Sequence, residues 1–163
     1  MDVDVWGQSD YSVRFEWGPT GAARVAASEG ILVVVDVLSF TTTVGVAAEN
    51  GIAVYPAPWR DARAADLATR ENAVLAVGRT QATETHPWSL SPAGMRAAPF
   101  TPRLVLPSPN GSSIASAASE VTVVAASLRN AGLVGGWLRM AAARRPRPVA
   151  GLAAGAKWPD GSL

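Results

Sequence analysis

The stretch ILVVVDVLSFTTTVGVAAENGIAVYPAP, residues 31–58, decides the fold of this chain. Its first five residues, 31–35, are apolar and are typical of a strand buried on both faces of a parallel sheet. A small-residue helical pattern follows over residues 44–48, and Asn50-Gly51 supplies a helix stop because both residues tolerate a left-handed backbone. Residues 52–55 then predict a second strand. The stretch therefore predicts a strand–loop–helix–strand unit.

A carboxylate and a cluster of hydroxyls lie between the first strand and its helix. Asp36 ends the apolar run, and three consecutive threonines follow it, Thr41, Thr42 and Thr43. In open α/β sheets ligands bind at this carboxyl end of the strand, where helix amides can hold an anion. An ordinary structural role is open for each residue, with Asp36 as a helix cap or strand end and the first threonine as an N-cap.

The rest of the chain continues the alternation of strands and helices. We predict further strands at residues 11–16, 73–77, 103–106, 121–125 and 148–153, and helices at residues 59–72, 110–118 and 128–143. We expect a turn at GPTGA, residues 18–22, and an irregular loop over the four prolines of residues 79–102. This order predicts a single α/β domain over residues 1–163, three-layer α/β/α with a mainly parallel sheet.

Two further strand ends carry polar side chains: Asn110, Gly111, Ser112 and Ser113 after one strand, and Ser127, Arg129 and Asn130 after another. Gly111 would let the backbone approach a ligand closely, although Pro109-Asn110-Gly111 is also good turn chemistry by itself. Arg129 could hold a carboxylate or sulfonate through two hydrogen bonds, and a solvent-facing role for it is equally open. Two anion-friendly loops on one sheet edge suit a substrate with a phosphate and a sulfonate or carboxylate.

The composition of the chain excludes several classes of protein. Its 163 residues, 48% hydrophobic and 17% charged, indicate a globular domain. The net charge of +1 indicates neither a nucleic-acid partner nor an anionic membrane. Without cysteine there is no disulfide or thiolate chemistry, and a single histidine, His86, argues against zinc. With no signal peptide and no apolar run of about 20 residues, we expect a cytoplasmic protein.

Four parts of the sequence resemble one known family, in the same order. DVLSFTTT at residues 36–43, followed by AENG at 48–51, is similar to DVLRATTT…ENG of the 2-phosphosulfolactate phosphatase (ComB) family. LVLPSPNGSS at residues 104–113 resembles the family's LVLTTTNGTR, and ASLRNA at 126–131 resembles its GSxxNA. VRFEWGPTGA at residues 13–22 fits the family's opening strand.

The resemblance implies a magnesium-dependent phosphatase that hydrolyses a small phosphorylated anionic acid, 2-phosphosulfolactate, in coenzyme M synthesis. It implies that Asp36 is catalytic and a ligand of Mg²⁺, which takes oxygen ligands from carboxylates, substrate phosphate and water. We expect a metal-activated water to attack phosphorus while both polar loops hold the anions, and a covalent intermediate on Asp36 stays open. The alternative is a catalytically lapsed relative that binds a small anion without turnover.

The chain departs from the family pattern at four places. Residues 87–92 resemble the family's Gly-Phe-Asp…Asn-Ser-Pro segment only in the final Ser-Pro. Ser39 stands where the family has arginine, residues 77–79 lack the acid of the family's Gly-Glu-Arg segment, and the family's terminal Glu-Asp pair is absent. From the last point we expect a copy of the domain that is incomplete at its C-terminus. The strand at residues 148–153 should then border an exposed apolar face, unless a second copy covers it, as in a homodimer.

Overall fold

The structure is a computed structural model that describes residues 7–25, 30–118 and 121–155. In these ranges the strands are β1 (Val13–Trp17), β2 (Ile31–Val35), β3 (Ala53–Ala57), β4 (Val74–Leu75), β5 (Arg103–Pro107), β6 (Thr122–Ala126) and β7 (Val149–Ala153). The helices are α1 (Gly18–Val25), α2 (Phe40–Glu49), α3 (Ala62–Arg70), α4 (Pro92–Ala97), α5 (Gly111–Ala117) and α6 (Ala131–Arg144), with a 3-10 turn at Arg79–Gln81. None of these helices combines the length and the apolar character needed to cross a bilayer.

The strands form two sheets, and every strand pair is parallel. The four-stranded sheet has the order β1-β7-β2-β6, and the three-stranded sheet has the order β3-β5-β4. The predicted α/β class with parallel strands is confirmed. The strands are divided between two sheets because the chain leaves the first sheet through α2 and returns to it through α5.

Helices cover both faces of the four-stranded sheet. α6 packs against Ile31 and Val33 of β2, and α1 and α5 pack on the opposite face against Leu32 and Val34. Successive side chains of a strand point to opposite faces, so residues 31–34 are all buried. The prediction that this run is a strand buried on both faces is confirmed.

Helices also cover both faces of the three-stranded sheet. α2 and α4 pack against Leu104 and Leu106 of β5, and α3 packs on the other face against Val105. The side chains of Leu104, Val105 and Leu106 are all fully buried. Each sheet therefore lies between two helical layers, which is the predicted three-layer α/β/α arrangement.

Two helical connections lead the chain from one sheet to the other. The connection β2–α2–β3 begins in the four-stranded sheet and ends in the three-stranded one, whereas β5–α5–β6 runs the opposite way. Both helices touch both sheets, since α2 contacts β3 and β6 and α5 contacts β2 and β3. Phe40 of α2 belongs to the core of the three-stranded sheet, and Ile114 of α5 belongs to the core of the four-stranded one. The carboxyl ends of β2 and β5 meet where the two connections cross.

Two local expectations for helices are corrected by the structure. The turn expected at residues 18–22 is the start of α1, because Gly18 makes the change of direction with φ of +61° and Pro19 is compatible with a first helical turn. The helix expected over residues 59–72 begins only at Ala62, because Asp61 caps it by accepting a hydrogen bond from the Arg63 amide at 3.0 Å.

The segment over residues 79–102 is less irregular than its four prolines predict. It contains the Arg79–Gln81 turn and the helix α4, which begins with Pro92 in its first turn. Ser91 caps α4, since its hydroxyl accepts a hydrogen bond from the Gly94 amide at 3.2 Å. The side chain of a capping residue thus stabilises a helix that lacks a clear apolar period.

β7 lies inside the four-stranded sheet, between β1 and β2. Beside it, Val13, Phe15 and Trp17 of β1 are 73%, 48% and 53% exposed, all on the same face. The exposed apolar face expected next to residues 148–153 is therefore present in the part of the chain that the structure describes. The residues on which the expectation of incompleteness rested, 156–163, lie outside the described residues.

Candidate active site

Asp36 joins the N-termini of α2 and α5. One carboxylate oxygen accepts a hydrogen bond from the Phe40 amide at 3.4 Å, and the other accepts from the Gly111 amide at 3.1 Å. The first amides of a helix lack partners within the helix, so a carboxylate is stabilised there. The sequence left open that Asp36 caps a helix. In the structure Asp36 caps two helices, α2 and α5. The anion that these helix amides hold is therefore the Asp36 carboxylate.

Gly111 allows the two helix starts to approach each other. A Cβ atom at this position would lie 2.3 Å from Cδ1 of Phe40 and 2.8 Å from Oδ2 of Asp36. The Phe40 ring is buried and packed in the core, so it has little room to move aside. The sequence predicted that the backbone at Gly111 would approach a ligand closely. In the structure this backbone approaches the Phe40 ring and the Asp36 carboxylate.

The hydroxyls of both polar loops bond to the main chain. Thr42 donates to Val37 O at 2.7 Å, Thr43 to Ser39 O at 2.8 Å, Ser112 to Leu106 O at 3.1 Å and Ser113 to Pro109 O at 2.6 Å, while Thr41 accepts from Asp36 N at 3.0 Å. A hydroxyl has one proton, so the four that donate to carbonyls cannot also donate to an anion. A substrate-binding role for Thr41, Thr42, Thr43, Ser112 and Ser113 stays a prediction that this geometry does not favour.

The loop after β6 is closed by its own side chains. Asn130 accepts a hydrogen bond from the Ser127 amide at 2.8 Å and donates to Ala125 O at 3.0 Å. Arg129 forms an ion pair with Glu49, its Nε donating to Oε1 at 3.1 Å and its Nη2 contacting Oε2. This contact holds the pKa of Glu49 below its usual value and raises the pKa of Arg129.

None of these three loop residues lines the cavity beside Asp36. In the structure Arg129 binds a carboxylate of the protein, where the sequence suggested one of a substrate. A binding role for Ser127, Arg129 and Asn130 stays a prediction, and the geometry assigns them a structural role.

A cavity of about 570 Å³ opens beside Asp36. Its polar and charged lining includes Asp36, Ser39, Arg60, Asp61, Arg79, Ser108 and Asn110. The residues come from the segments that follow β2, β3, β4 and β5. Ligand sites of α/β proteins occupy this position, at the carboxyl ends of parallel strands. Of the side chains predicted for the site, the cavity brings together Asp36 and Asn110, with Gly111 directly behind Asp36.

Five of these polar and charged lining residues were not predicted as site residues: Ser39, Arg60, Asp61, Arg79 and Ser108. Arg60, expected on the solvent face of a helix, lies in the loop before α3, Arg79 begins the 3-10 turn, and Ser108 directly follows β5. Each lies within four residues of the C-terminal end of a parallel strand. That shared position is the signal by which the sequence could have indicated them.

The residues present fit a loosely held magnesium ion. Among the described residues there is no group of three or more His, Asp or Glu side chains that could hold a metal ion. Mg²⁺ does not need such a cage, since it is often bound through one or two carboxylates together with phosphate oxygens and water. Asp36 provides a carboxylate in the cavity, and Asn110, which donates only through its amide nitrogen to Gly155 O at 3.3 Å, keeps its side-chain oxygen available.

A family model described as "2-phosphosulpholactate phosphatase" matches residues 20–157. The matched range includes both sheets except β1, both helix starts at Asp36, and all the residues that line the cavity. No curated protein matches the chain.

Proposed function

Because the chain belongs to the 2-phosphosulfolactate phosphatase family, we propose that it hydrolyses a small phosphorylated anionic acid in the cavity beside Asp36. The specific reaction we propose is conversion of 2-phosphosulfolactate to sulfolactate and phosphate, in coenzyme M synthesis in the cytoplasm. The observation that carries the proposal is the cavity itself. It combines a fixed carboxylate with two arginines, Arg60 and Arg79, at the carboxyl ends of parallel strands.

The position of Asp36 supports a role for Mg²⁺. A phosphate that enters the cavity approaches the negative charge of Asp36, and like charges repel. A divalent cation between the two groups removes this repulsion, and it takes the oxygen ligands that Asp36 and Asn110 offer. When bound, the ion would neutralise phosphate charge and polarise the phosphoryl group.

The residues of the chain hold and orient the substrate. Asp36 cannot rotate freely, because two amides from different helices bond to its two oxygens, and each oxygen keeps a lone pair for a ligand. Ser108 and Asn110 add a hydroxyl and an amide to the cavity wall, and the arginines add positive charge. Such fixed polar groups supply most of what phosphoryl transfer needs from a protein, namely positioning and stabilisation of charge.

The second candidate function is binding of a small anion without turnover. The observation that favours it is the small number of acidic groups in the described part of the cavity. Asp61 also lines the cavity, but its carboxylate is paired with Arg63 at 2.7 Å. Asp36 is thus the one cavity carboxylate without an arginine partner among the described residues.

The experiment that separates the two functions is a phosphate-release screen with a panel of phosphorylated small acids, including 2-phosphosulfolactate. We expect release that requires Mg²⁺ and stops when EDTA is added. Release that is unchanged by EDTA would refute the role of the metal. Saturable binding of a panel member by calorimetry, with no release at any Mg²⁺ concentration, would support the second function.

A further inference from the structure

Arg79 is fixed at the wall of the cavity by two other segments of the chain. Its Nε donates a hydrogen bond to Leu90 O at 2.7 Å, and its Nη2 donates to the hydroxyl of Ser39. Ser39 is buried, and its hydroxyl donates in turn to the same Leu90 O at 3.0 Å. The three residues form a closed set of hydrogen bonds that holds the guanidinium in place.

Among the described residues, no acidic side chain pairs with Arg79. None of the ion pairs among the described residues includes Arg79, and its Nη1 has no hydrogen-bond partner there. A guanidinium has five N–H donors in a rigid plane, and this geometry suits the two oxygens of a carboxylate or sulfonate. An arginine that is held in place but lacks an acidic partner is prepared to bind an anion.

Two other residues of the same cavity also lack partners. Arg60 forms no hydrogen bond or ion pair in the described part of the chain. Ser108 is only 2% exposed, yet its hydroxyl has no hydrogen-bond partner among the residues that the structure describes. Among the described residues the one fully enclosed side-chain polar atom without a partner is Nε of Arg147, so the Ser108 hydroxyl borders open space. The open space that Ser108 lines is this cavity.

We propose that Arg79, positioned by Ser39, binds with Arg60 and Ser108 a second oxyanion group of the substrate, a carboxylate or a sulfonate. This inference rests on the proposed function, in which Asp36 and its cation receive the phosphate. It adds which residues receive an acid group that 2-phosphosulfolactate carries besides its phosphate. Arg79 and Arg60 then determine specificity, and Ser39 is a positioning residue.

The test is binding of analogues that cannot be hydrolysed, measured by calorimetry on the full chain with Mg²⁺. Phosphonoacetate carries a phosphonate and a carboxylate, phosphonomethanesulfonate carries a sulfonate in its place, and methylphosphonate lacks the second acid. We expect the better of the two double anions to bind about tenfold or more tightly than methylphosphonate, as a charge-assisted contact would give. The comparison between carboxylate and sulfonate identifies the preferred second group.

Single-residue variants test which residues cause the preference for a second acid group. Arg79→Gln should remove most of the preference for the second acid while changing the affinity for methylphosphonate less than about twofold. Ser39→Ala should reduce the preference in part, because the arginine keeps its contact with Leu90. Arg70→Gln is the matched control, since Arg70 pairs with Glu71 on the exposed surface and lies outside the cavity.

Three outcomes would overturn the inference: no preference for double anions in the unmodified chain, equal loss of affinity for all three analogues in Arg79→Gln, or an equal effect of Arg70→Gln. Failure of the proposed function gives a different result. In that case the preference for double anions and its dependence on Arg79 persist, but no phosphate is released from any ester in the panel.

Discussion

At the scale of the residue, Asp36 supports the fold and the proposed reaction with the same carboxylate. The side chain of asparagine has one oxygen and an NH₂ group. In Asp36→Asn the oxygen can still accept a hydrogen bond from one of the amides of Phe40 and Gly111, but the NH₂ group faces the other amide and cannot accept from it. We expect the free energy of unfolding to fall by about 1–3 kcal/mol. We also expect Mg²⁺-dependent phosphate release to be lost, which the release assay and a thermal melt measure together.

The control for this variant is Asp61→Asn, which removes the other carboxylate of the cavity. Asp61 is exposed and paired with Arg63, and exposed pairs contribute little to stability. Phosphate release should be largely kept in this control. If Asp36→Asn lowers the melting temperature but retains wild-type release and Mg²⁺ dependence, Asp36 is only a cap and the phosphate must bind elsewhere.

Gly111 provides a second test at this scale. Alanine at position 111 would place its Cβ 2.3 Å from the Phe40 ring, so α5 must move away from Asp36. We expect Gly111→Ala to destabilise the protein by about 1–3 kcal/mol and to lower phosphate release. Gly135→Ala is the matched control, because a Cβ there has nothing within 4 Å and lies in the middle of α6. It should stabilise by about 0.5–1 kcal/mol. Equal melting temperatures for the two variants would contradict the close contact at Gly111.

Sequence reasoning found the residues of the site that follow directly from strand order. Asp36 and Asn110 come just after apolar runs, and the carboxyl ends of parallel strands meet on one edge. The role of Thr42 could not be predicted. Its hydroxyl donates a hydrogen bond to the carbonyl five residues earlier, and the sequence does not distinguish a threonine in this role from one whose hydroxyl faces a ligand. Arg79 was missed because its partner Ser39 is distant in the sequence.

At the scale of the element, the ion pair of Glu49 and Arg129 connects the C-terminal end of α2 with the loop before α6. The pKa of Glu49 is lowered in the folded protein, by its hydrogen bond to Arg129 and by the charge of Arg129. A carboxyl group whose pKa is lower in the folded than in the unfolded protein stabilises the fold at any pH above its unfolded pKa. This stabilisation is lost as the pH falls through the pKa of the folded protein.

We therefore expect Glu49→Gln to lower the melting temperature slightly at pH 7. The difference from the unmodified chain should disappear as the pH falls below the ordinary glutamate value of 4.5. It should also shrink at high salt, because the pair is exposed. Melts from pH 3 to pH 7 measure this, and a difference that grows toward low pH would contradict the assigned cause.

The elements were predicted more reliably than their grouping into sheets. Buried runs such as residues 31–35 specify a strand by composition alone, and β2 has the predicted bounds. The division into two sheets depends on contacts between residues that are distant in the sequence, and local patterns do not specify these contacts. α1 was missed because Gly18 and Pro19 are as typical of a turn as of a helix start.

At the scale of the whole molecule, the uncovered face of β1 presents three exposed apolar side chains, Val13, Phe15 and Trp17. Phe15 and Trp17 contact each other there in an edge-to-face arrangement, with ring centroids 4.5 Å apart. We expect this face to bind the dye ANS, and we expect the double variant Phe15→Thr with Trp17→Thr to reduce the fluorescence. Threonine keeps the preference for a strand.

Leu128→Thr is the control for the dye experiment. Leu128 is an exposed apolar side chain in the loop after β6, which lies at the opposite edge of the four-stranded sheet from β1. This control should leave the fluorescence unchanged, and an equal effect of both variants would show that the face of β1 is not the binding surface. The homodimer stays a prediction, which sedimentation velocity measures directly.

The position of β7 between β1 and β2 determines the order in which the nascent chain can fold. The described strands of the three-stranded sheet are all present once Pro107 has left the ribosome. In contrast, β1 must wait for Val149–Ala153, the one described strand with which it pairs. Until then translation exposes Phe15 and Trp17 on a strand without a neighbour. Pairing at such long range is slow and leaves intermediates prone to aggregation. β1 is synthesised before the other described strands, yet it is among the last of them to be incorporated.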